Sequence, residues 1–455
     1  MNSLNRFLWN SEKISEQVSE RFVLSDHPQE PNTCFFEIRL KPDSIPELLS
    51  LDKCLIATEK LFSSFPTLRK HYELNVDKTK VILDTTAFGE LAQKVWSRNR
   101  LTQDDFRNSP ISATEAPLFY FRYENGLGLE IAIHHSLADG RSAYLVLITF
   151  LKFLCDEATN LEAEAFPKIK YKTDAISLGK ELLETLKNRK SKPPAFIKSS
   201  EEIFGSRHHF RHHCFLKNNI TIDKKWGPLI LSCFAKALAE MVSSLEKTSD
   251  SDYLSIMVPV DLCEKKTRSY AIGNYSLNAK IKFDLKKLLQ ERLLVSEIEE
   301  KMNVIRHSGP GITPLLQIGI TEWAGLMNKA RSKKFNTGLP LRSQETRNTF
   351  WKSLDTAVFS NLGYISVPDF LSPAFNGHCG FTPVIPPMGF SLAVAVDDHG
   401  YHLCLRWSDA SLNESQGNIL FDRIVSLASE YVTNEWGSHD NTQQRRSPAL
   451  PAKFL

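Results

Sequence analysis

The stretch Ile131-Ala-Ile-His-His-Ser-Leu-Ala-Asp-Gly-Arg141 joins an apolar strand to a helix-like run, Ser142 to Cys155. Leu129, Ile131 and Ile133 alternate with Glu130, Ala132 and His134, the two-residue period of a strand. On that period His135 has the parity of the apolar set, so it is expected on the buried face and His134 on the other. An aspartate stands four residues past the second histidine, and a glycine follows it. A histidine at a strand end can be held rigidly, and an aspartate across a tight turn can brace the loop that carries it. A positioned imidazole with a pKa near working pH suits a general base. A core histidine capped by a local hydrogen bond is the plainer reading of a lone residue, because a buried imidazole needs a polar partner. His-His-x-x-x-Asp-Gly at a strand-to-helix junction points instead to function.

Upstream, Glu124-Asn125-Gly126 is a hairpin turn signal between Pro117–Tyr123 and Leu127–His135. Thr33 to Leu40 (TCFFEIRL) reads as a strand. Pro42-Asp43-Ser44 starts a helix, with Ser44 as N-cap and Pro46 just inside. Its apolar stripe runs through Leu48, Leu51, Leu55, Phe62 and Phe65. Lys80 to Leu83 is a short strand, which gives the first half the order β-α-β-β-β-α.

The chain has 455 residues, enough for two domains or one large pseudo-duplicated unit. Its 42% hydrophobic and 24% charged content is that of a globular protein. With 56 basic against 53 acidic residues the net charge is +3, which gives no electrostatic case for nucleic acid as the main partner. Eight cysteines form no CxxC or metal-ligand spacing, so free thiols in a reducing, cytoplasmic compartment are expected. No signal peptide or membrane span is visible, and Ser142 to Cys155 is short and holds Lys152. Phe7, Leu8 and Trp9 leave peripheral contact with a membrane open.

Residues 161–206, with Pro167, Pro193, Pro194, many Lys and Glu and a helical stretch at Asp174–Lys190, read as a crossover linker. It separates an N-terminal lobe, 1–160, from a C-terminal lobe, 207–433. Arg207 to Leu216 (RHHFRHHCFL) carries four histidines and a cysteine. As a strand it presents His208, Phe210, His212 and Cys214 on one face and His209, Arg211, His213 and Phe215 on the other. Neither face offers a tetrahedral ligand set, so no metal is expected.

Gly227-Pro228 opens a helix to about Met241. Tyr253–Val260 and Leu277–Phe283 are strands, and Leu288–His307 and Pro314–Met327 are amphipathic helices. A strand begins at Ala357, three strands follow between Phe381 and Trp407, and Ser411–Val432 closes the fold. The polar tail, 434–455, is expected to be disordered.

His134-His135-Ser136-Leu137-Ala138-Asp139-Gly140 resembles the signature of the CoA-dependent acyltransferase superfamily. That group includes chloramphenicol acetyltransferase, plant BAHD acyltransferases, fungal alcohol acetyltransferases and nonribosomal peptide condensation domains. Two further phrases fall in the same order. Val258-Pro259-Val260-Asp261-Leu262 with Gly273-Asn274 resembles "Pro-Val-Asp-Leu-Arg … Gly-Asn", and Phe359-Ser360-Asn361-Leu362-Gly363 resembles "Ser-Asn-Leu-Gly". The plant-type Asp-Phe-Gly-Trp-Gly phrase is absent from the sequence. Cys263 stands where the superfamily usually has the arginine that pairs with the motif aspartate. Asp139 must then find another cation (Arg141, Lys265, Lys266 or Arg268) or go unpaired.

The resemblance covers about Thr33 to Val432. It implies an α/β fold of two chloramphenicol-acetyltransferase-like lobes, mixed sheets flanked by helices, with a tunnel between the lobes. It also implies an acyltransferase in which His135 is the general base, Asp139 orients the loop, Gly140 allows the tight turn and close approach, and His134 supports. Ser360 and Asn361 are weaker candidates near the thioester. The expected co-substrate is an acyl-CoA with no bound cofactor, and the expected acceptor is a small or lipophilic alcohol. Alternatives are an amine acceptor, an acyl carrier protein as donor, and a non-catalytic member that binds a partner. A monomer is expected.

Overall fold

The computed structural model describes residues 12, 15–16, 18–19, 32–41, 50–74, 79–124, 128–155, 167–169, 195, 207–217, 225–244, 251–264, 271–291, 293–308, 356–384 and 389–439. Among these the strands are β1 (Thr33–Leu40), β2 (Lys70–Leu74), β3 (Thr79–Leu83), β4 (Phe119–Glu124), β5 (Gly128–His134), β6 (His208–Leu216), β7 (Tyr253–Asp261), β8 (Ser276–Asp284), β9 (Ala357–Tyr364), β10 (Phe375–Phe381), β11 (Phe390–Val396) and β12 (Gly400–Ser408). The helices are α1 (Leu51–Ser64), α2 (Phe88–Trp96), α3 (Gln103–Arg107), α4 (Gly140–Leu154), α5 (Trp226–Ser244), α6 (Leu285–Gln290), α7 (Val295–Ser308) and α8 (Glu414–His439).

Two sheets carry the fold. The first has the order β10-β1-β5-β4, every pair antiparallel. The second is mixed, β6-β12-β11-β9-β7-β8, with β9 parallel to β11 and β7. A two-stranded ribbon, β2-β3, stands apart. α1 and α4 pack on each other beside the first sheet, and α5 packs against α7 and α8 beside the second. Buried residues on α1 recur as Cys54, Ala57, Thr58, Leu61 and Phe62, the stripe that a 3.6-residue period demands. Phe121 and Phe150 centre one aromatic core, their ring centroids 4.6 Å apart; Trp226 and Tyr401 anchor the other at 4.8 Å. The architecture is α/β, two sheet-and-helix lobes, as the sequence implies.

β10 follows β9 in sequence but does not join the second sheet. It pairs with β1, Phe35 opposite Phe381 and Glu37 opposite Cys379, and becomes the edge of the first sheet. The second half of the chain thus completes the first lobe.

Both faces of β5 are covered, which corrects the half-exposed reading of its alternation. Glu130 is buried and lies directly opposite the equally buried Glu37 on β1. Two facing carboxylates repel. Arg107 on α3 resolves this by donating Nε to Glu130 and Nη2 to Glu37 at 2.9 Å. Burial pushes the Glu130 carboxyl up from its ordinary pKa, against the pull of Arg107. A short helix with no apolar period is therefore fixed by charge, with Thr102 accepting from the Asp105 N–H as its N-cap.

Other expectations change. The single helix expected over Leu288–His307 is two, α6 and α7, separated near Glu291. α8 continues to His439, so the first residues of the polar tail are helical. The ribbon strand β2, the helices α2 and α3, and β10 were not anticipated. The Glu124-Asn125-Gly126 turn lies partly, and the Ser44 cap, the Asp174–Lys190 and Pro314–Met327 helices and Phe7–Trp9 wholly, outside the described residues. No described helix is long and apolar enough to cross a membrane.

Candidate active site

β5 ends at His134, and the chain leaves the sheet in a turn that hydrogen bonds fix at several points. The main-chain N–H of His135 donates to Asn32 O at 2.6 Å, Leu137 N–H to His134 O at 2.9 Å, and Asp139 N–H to Gly273 O at 3.1 Å. Tyr72 donates its hydroxyl to Ser136 O at 3.2 Å. Because both faces of β5 are covered and the strand stops at His134, the expected contrast of a buried His135 and a less buried His134 is not seen. His134 is fully buried, while His135 turns off the strand and keeps some solvent exposure.

Nδ1 of His134 lies 2.6 Å from the Ser136 hydroxyl and 3.2 Å from the Ser136 main-chain nitrogen. Nδ1 of His135 faces Oδ1 of Asn274 at 3.1 Å, and the Asn274 amide nitrogen donates to His135 O at 2.6 Å. The carbonyl can only accept, which fixes the amide orientation and makes Oδ1 the atom facing the ring. Oδ1 can only accept in turn, so His135 carries its proton on Nδ1 and its lone pair on Nε2. Burial lowers the His135 pKa to about 4, with its own main chain, Asp139 and Asn274 pulling the other way. The ring is thus a neutral base at pH 7.

Asp139 braces this loop by accepting from main-chain N–H groups and a hydroxyl. It caps α4, its Oδ1 accepting from the Ser142 N–H at 3.1 Å. Oδ2 accepts from the Tyr275 N–H at 3.1 Å and from the Ser276 hydroxyl at 3.4 Å. Ser142 adds a bond from its hydroxyl to Gly273 O at 2.9 Å. The histidine loop and the Gly-Asn phrase are thereby stitched together. Arg141 goes elsewhere, to Asp261 at 3.1 Å. This ion pair joins the first two phrases, the cation from the helix and the anion from the Pro-Val-Asp strand. Lys265, Lys266 and Arg268 lie outside the described residues.

Gly140 starts α4 where a Cβ would meet Leu362 Cδ2 at 2.5 Å and Phe36 Cζ at 3.4 Å. Close approach explains the glycine; its φ is outside the left-handed range, so the tight turn does not. Gly140→Ala is expected to destabilise the fold by roughly 1–3 kcal/mol, the range for overpacking, measured by urea unfolding. An unchanged midpoint would refute the contact.

Leu362 also borders Gly380, where a Cβ would meet its Cδ1 at 3.0 Å. The Ser-Asn-Leu-Gly phrase therefore reaches the histidine loop through its leucine, which sequence reasoning passed over. Asn361 instead accepts from the Gly363 N–H at 3.0 Å, and its amide nitrogen lies 2.6 Å from where a Gly227 Cβ would stand. Ser360 is buried on β9. These contacts give Asn361 structural work.

The histidine-rich strand β6 has the two faces expected of it. His209 stacks on Trp407 and Phe215 joins the second core, while Phe210 and His212 face the first sheet. Here a buried polar cluster seals the lobes. His378, Asp397 and His402 bring ligand-type atoms within 4.8 Å of one another. Arg39 decides how this cluster is protonated. Its Nη1, 3.0 Å from His212 Nδ1, can only donate, so His212 holds its proton on Nε2. That proton goes to His402 Nδ1 at 3.1 Å, which leaves the His402 proton on Nε2, donated to Asp397 Oδ2 at 2.9 Å. His378 Nδ1 donates to the same oxygen at 2.9 Å. Asp397 Oδ1 accepts from the His399 and Gly400 N–H groups. With these protons the atoms form a one-way hydrogen-bond chain from Arg39 to Asp397. Burial holds His212 at about 2 and His378 at about 4; burial would raise Asp397, but the two imidazole donors outweigh it and hold its carboxyl well down.

Neither a family model nor a curated protein sequence matches the chain. Solved structures do. The first class they define is that of two-lobed acyltransferases and condensation domains, whose fold this chain has along nearly its whole length. A trichothecene 15-O-acetyltransferase from Fusarium sporotrichioides is similar with a TM-score of 0.58 and 11% identity, over 91% of this chain and 93% of that one. The wax ester synthase/diacylglycerol acyltransferase of Marinobacter aquaeolei VT8 gives 0.55 and 14%, over 92% and 98%. A mutant starter condensation domain of rhizomide synthetase, in complex with C8-CoA and Leu-SNAC, gives 0.54 and 12%, over 90% and 93%.

Proposed function

We propose that the protein transfers an acyl group from a CoA thioester to an acceptor alcohol, with His135 as the single general base. The observation that carries this reading is the Nδ1–H tautomer of His135, which leaves the Nε2 lone pair to take a proton. As the acceptor oxygen attacks the thioester carbonyl, its proton passes to Nε2. The C–O bond forms, the C–S bond breaks, and the imidazolium returns the proton to the leaving thiolate. A thioester is electrophilic enough that no covalent enzyme nucleophile is needed. Asp139 is a positioning residue in this scheme: it fixes the loop and the partner loop bearing Asn274. Substrates meeting between the lobes would be kept from water.

The similar structures support acyl transfer as the chemistry, and they span acetyl and longer acyl groups, alcohol acceptors and condensation domains. An amine acceptor and a carrier-bound donor use the same base and form the second reading, favoured by the condensation-domain likeness. The test is thiol release from acetyl-CoA and octanoyl-CoA with panels of alcohols and amines. Release that depends on an alcohol supports the proposal. Release only with amines selects the second reading, and no release from folded protein with any thioester, including a carrier-bound one, rejects catalysis.

A further inference from the structure

We infer that the N-terminal segment bearing Ser15 and Ser19 belongs to the positioning apparatus of His135, acting through Asn274 to hold the imidazole in its Nδ1–H form. The inference rests on the reading of His135 as base, but its test does not require turnover. Ser15 and Ser19 lie outside the Thr33–Val432 span of the superfamily resemblance, so nothing in the three phrases points to them.

Ser15 and Ser19 are helical and four residues apart, which puts them on one face. Both are buried, and between them Val18 packs with Val260, Leu262, Leu277 and Ala279, which seats the segment on the second lobe. Their hydroxyls converge on one residue. Ser15 Oγ accepts from the Asn274 main-chain N–H at 3.1 Å, and Ser19 Oγ accepts from Asn274 Nδ2 at 3.1 Å. The neighbouring Gly273 permits this approach, since a Cβ there would stand 2.6 Å from Ser15 Oγ.

Asn274 is almost wholly buried, so each amide proton needs an acceptor. One goes to His135 O and the other to Ser19 Oγ. These two acceptors lock the amide with its oxygen toward the ring. Without the serines Asn274 loses two of the contacts that hold it against the ring, and an amide that swings away takes with it the acceptor that fixes the ring proton on Nδ1. The proton is then free to move to Nε2, which removes the lone pair that takes the acceptor's proton. Ser19 thus sets the amide, Ser15 sets the main chain that carries it, and the amide sets the ring.

The experiment uses full-length protein labelled with 15N-histidine, with the His135 signals assigned by their loss in His135→Ala. At neutral pH, long-range 15N–1H spectra are expected to show a protonated Nδ1 and an unprotonated Nε2. In Ser15→Ala/Ser19→Ala the spectrum is expected to move toward a tautomer mixture. kcat should fall roughly tenfold, a part of the ~100- to 10,000-fold that a positioned base supplies, with KM unchanged. Asn274→Leu should do the same more strongly, and Ser19→Thr, which keeps the hydroxyl, should restore the wild-type spectrum. A wild-type ring protonated on Nε2, or a double serine variant with unaltered tautomer and kcat, overturns the inference. If the wild type transfers no acyl group, the spectra still decide the positioning claim, and only the proposed function fails.

Discussion

His135→Ala is expected to lower acceptor-dependent thiol release by about 100- to 10,000-fold, the contribution of one positioned general base. KM for the thioester should change little, because the imidazole acts on the acceptor proton. The fold should survive: the loop is held by main-chain bonds from His135 N–H to Asn32 O and from Asp139 N–H to Gly273 O, and by the Tyr275 N–H donating to the Asp139 carboxylate, none of which needs the ring. The wild-type pH profile carries the same information. A base works only when deprotonated, and burial places its pKa at about 4. The rate per free enzyme should therefore be level through neutrality and fall as pH drops through that value. An acid limb near the ordinary histidine value of about 6.5 would show that the free ring is not desolvated as described. Full activity in the variant would end the mechanism.

The second large effect concerns stability. Asp397→Ala is expected to lose roughly 3–5 kcal/mol in urea unfolding at pH 7, the range for removing one partner of a buried charged set. The alanine leaves the protons of His378 and His402, and the N–H groups of His399 and Gly400, without the oxygens they now meet. Acid should act on the wild type through the same cluster. His212 and His378 have folded pKa values below their unfolded one, so the unfolded chain takes up protons first as pH falls. Their stabilisation is complete above about pH 6.5 and declines below it, through about 4 for His378 and lower still for His212. Asp397, also depressed, adds its loss at lower pH. Stability that is flat between pH 7 and 4.5 would contradict the neutral-imidazole chain.

Much of this was legible in the residues. Alternation located β5, and Asp139 followed by a dense apolar run located α4, because strand and helix periods are local properties. The pairing of Asp139 was not legible. Cys263 signalled that the usual arginine was missing, but main-chain N–H groups of Tyr275 and Ser142 leave no mark in a sequence. The burial of His134 was misread because both faces of β5 are covered, and a period predicts nothing for His135, past the residue at which the strand ends. Glu130 looked like a solvent-facing residue, and only Arg107 on a distant helix makes it a core one. β10, with glycines at 377 and 380 and a histidine at 378, has weak strand propensity. It is a strand because β1 offers it an edge. The histidines of β6 were sorted correctly onto two faces, yet their meaning came from Arg39, on a strand far away in sequence.

That borrowed edge also orders events during synthesis. A ribosome completes β1, β5 and β4 long before it reaches residue 375, and until β10 emerges the outer side of β1 carries a row of unpaired N–H and C=O groups. The nascent first lobe is then an open template, flanked by Phe35 and Phe36, for any strand that comes near. Closure by β10 buries that template and simultaneously ties the ends of the chain into one cooperative unit. The folding hazard of this protein is thus concentrated in the interval between translating His135 and translating Phe381, when the loop exists but the sheet beneath it is unfinished.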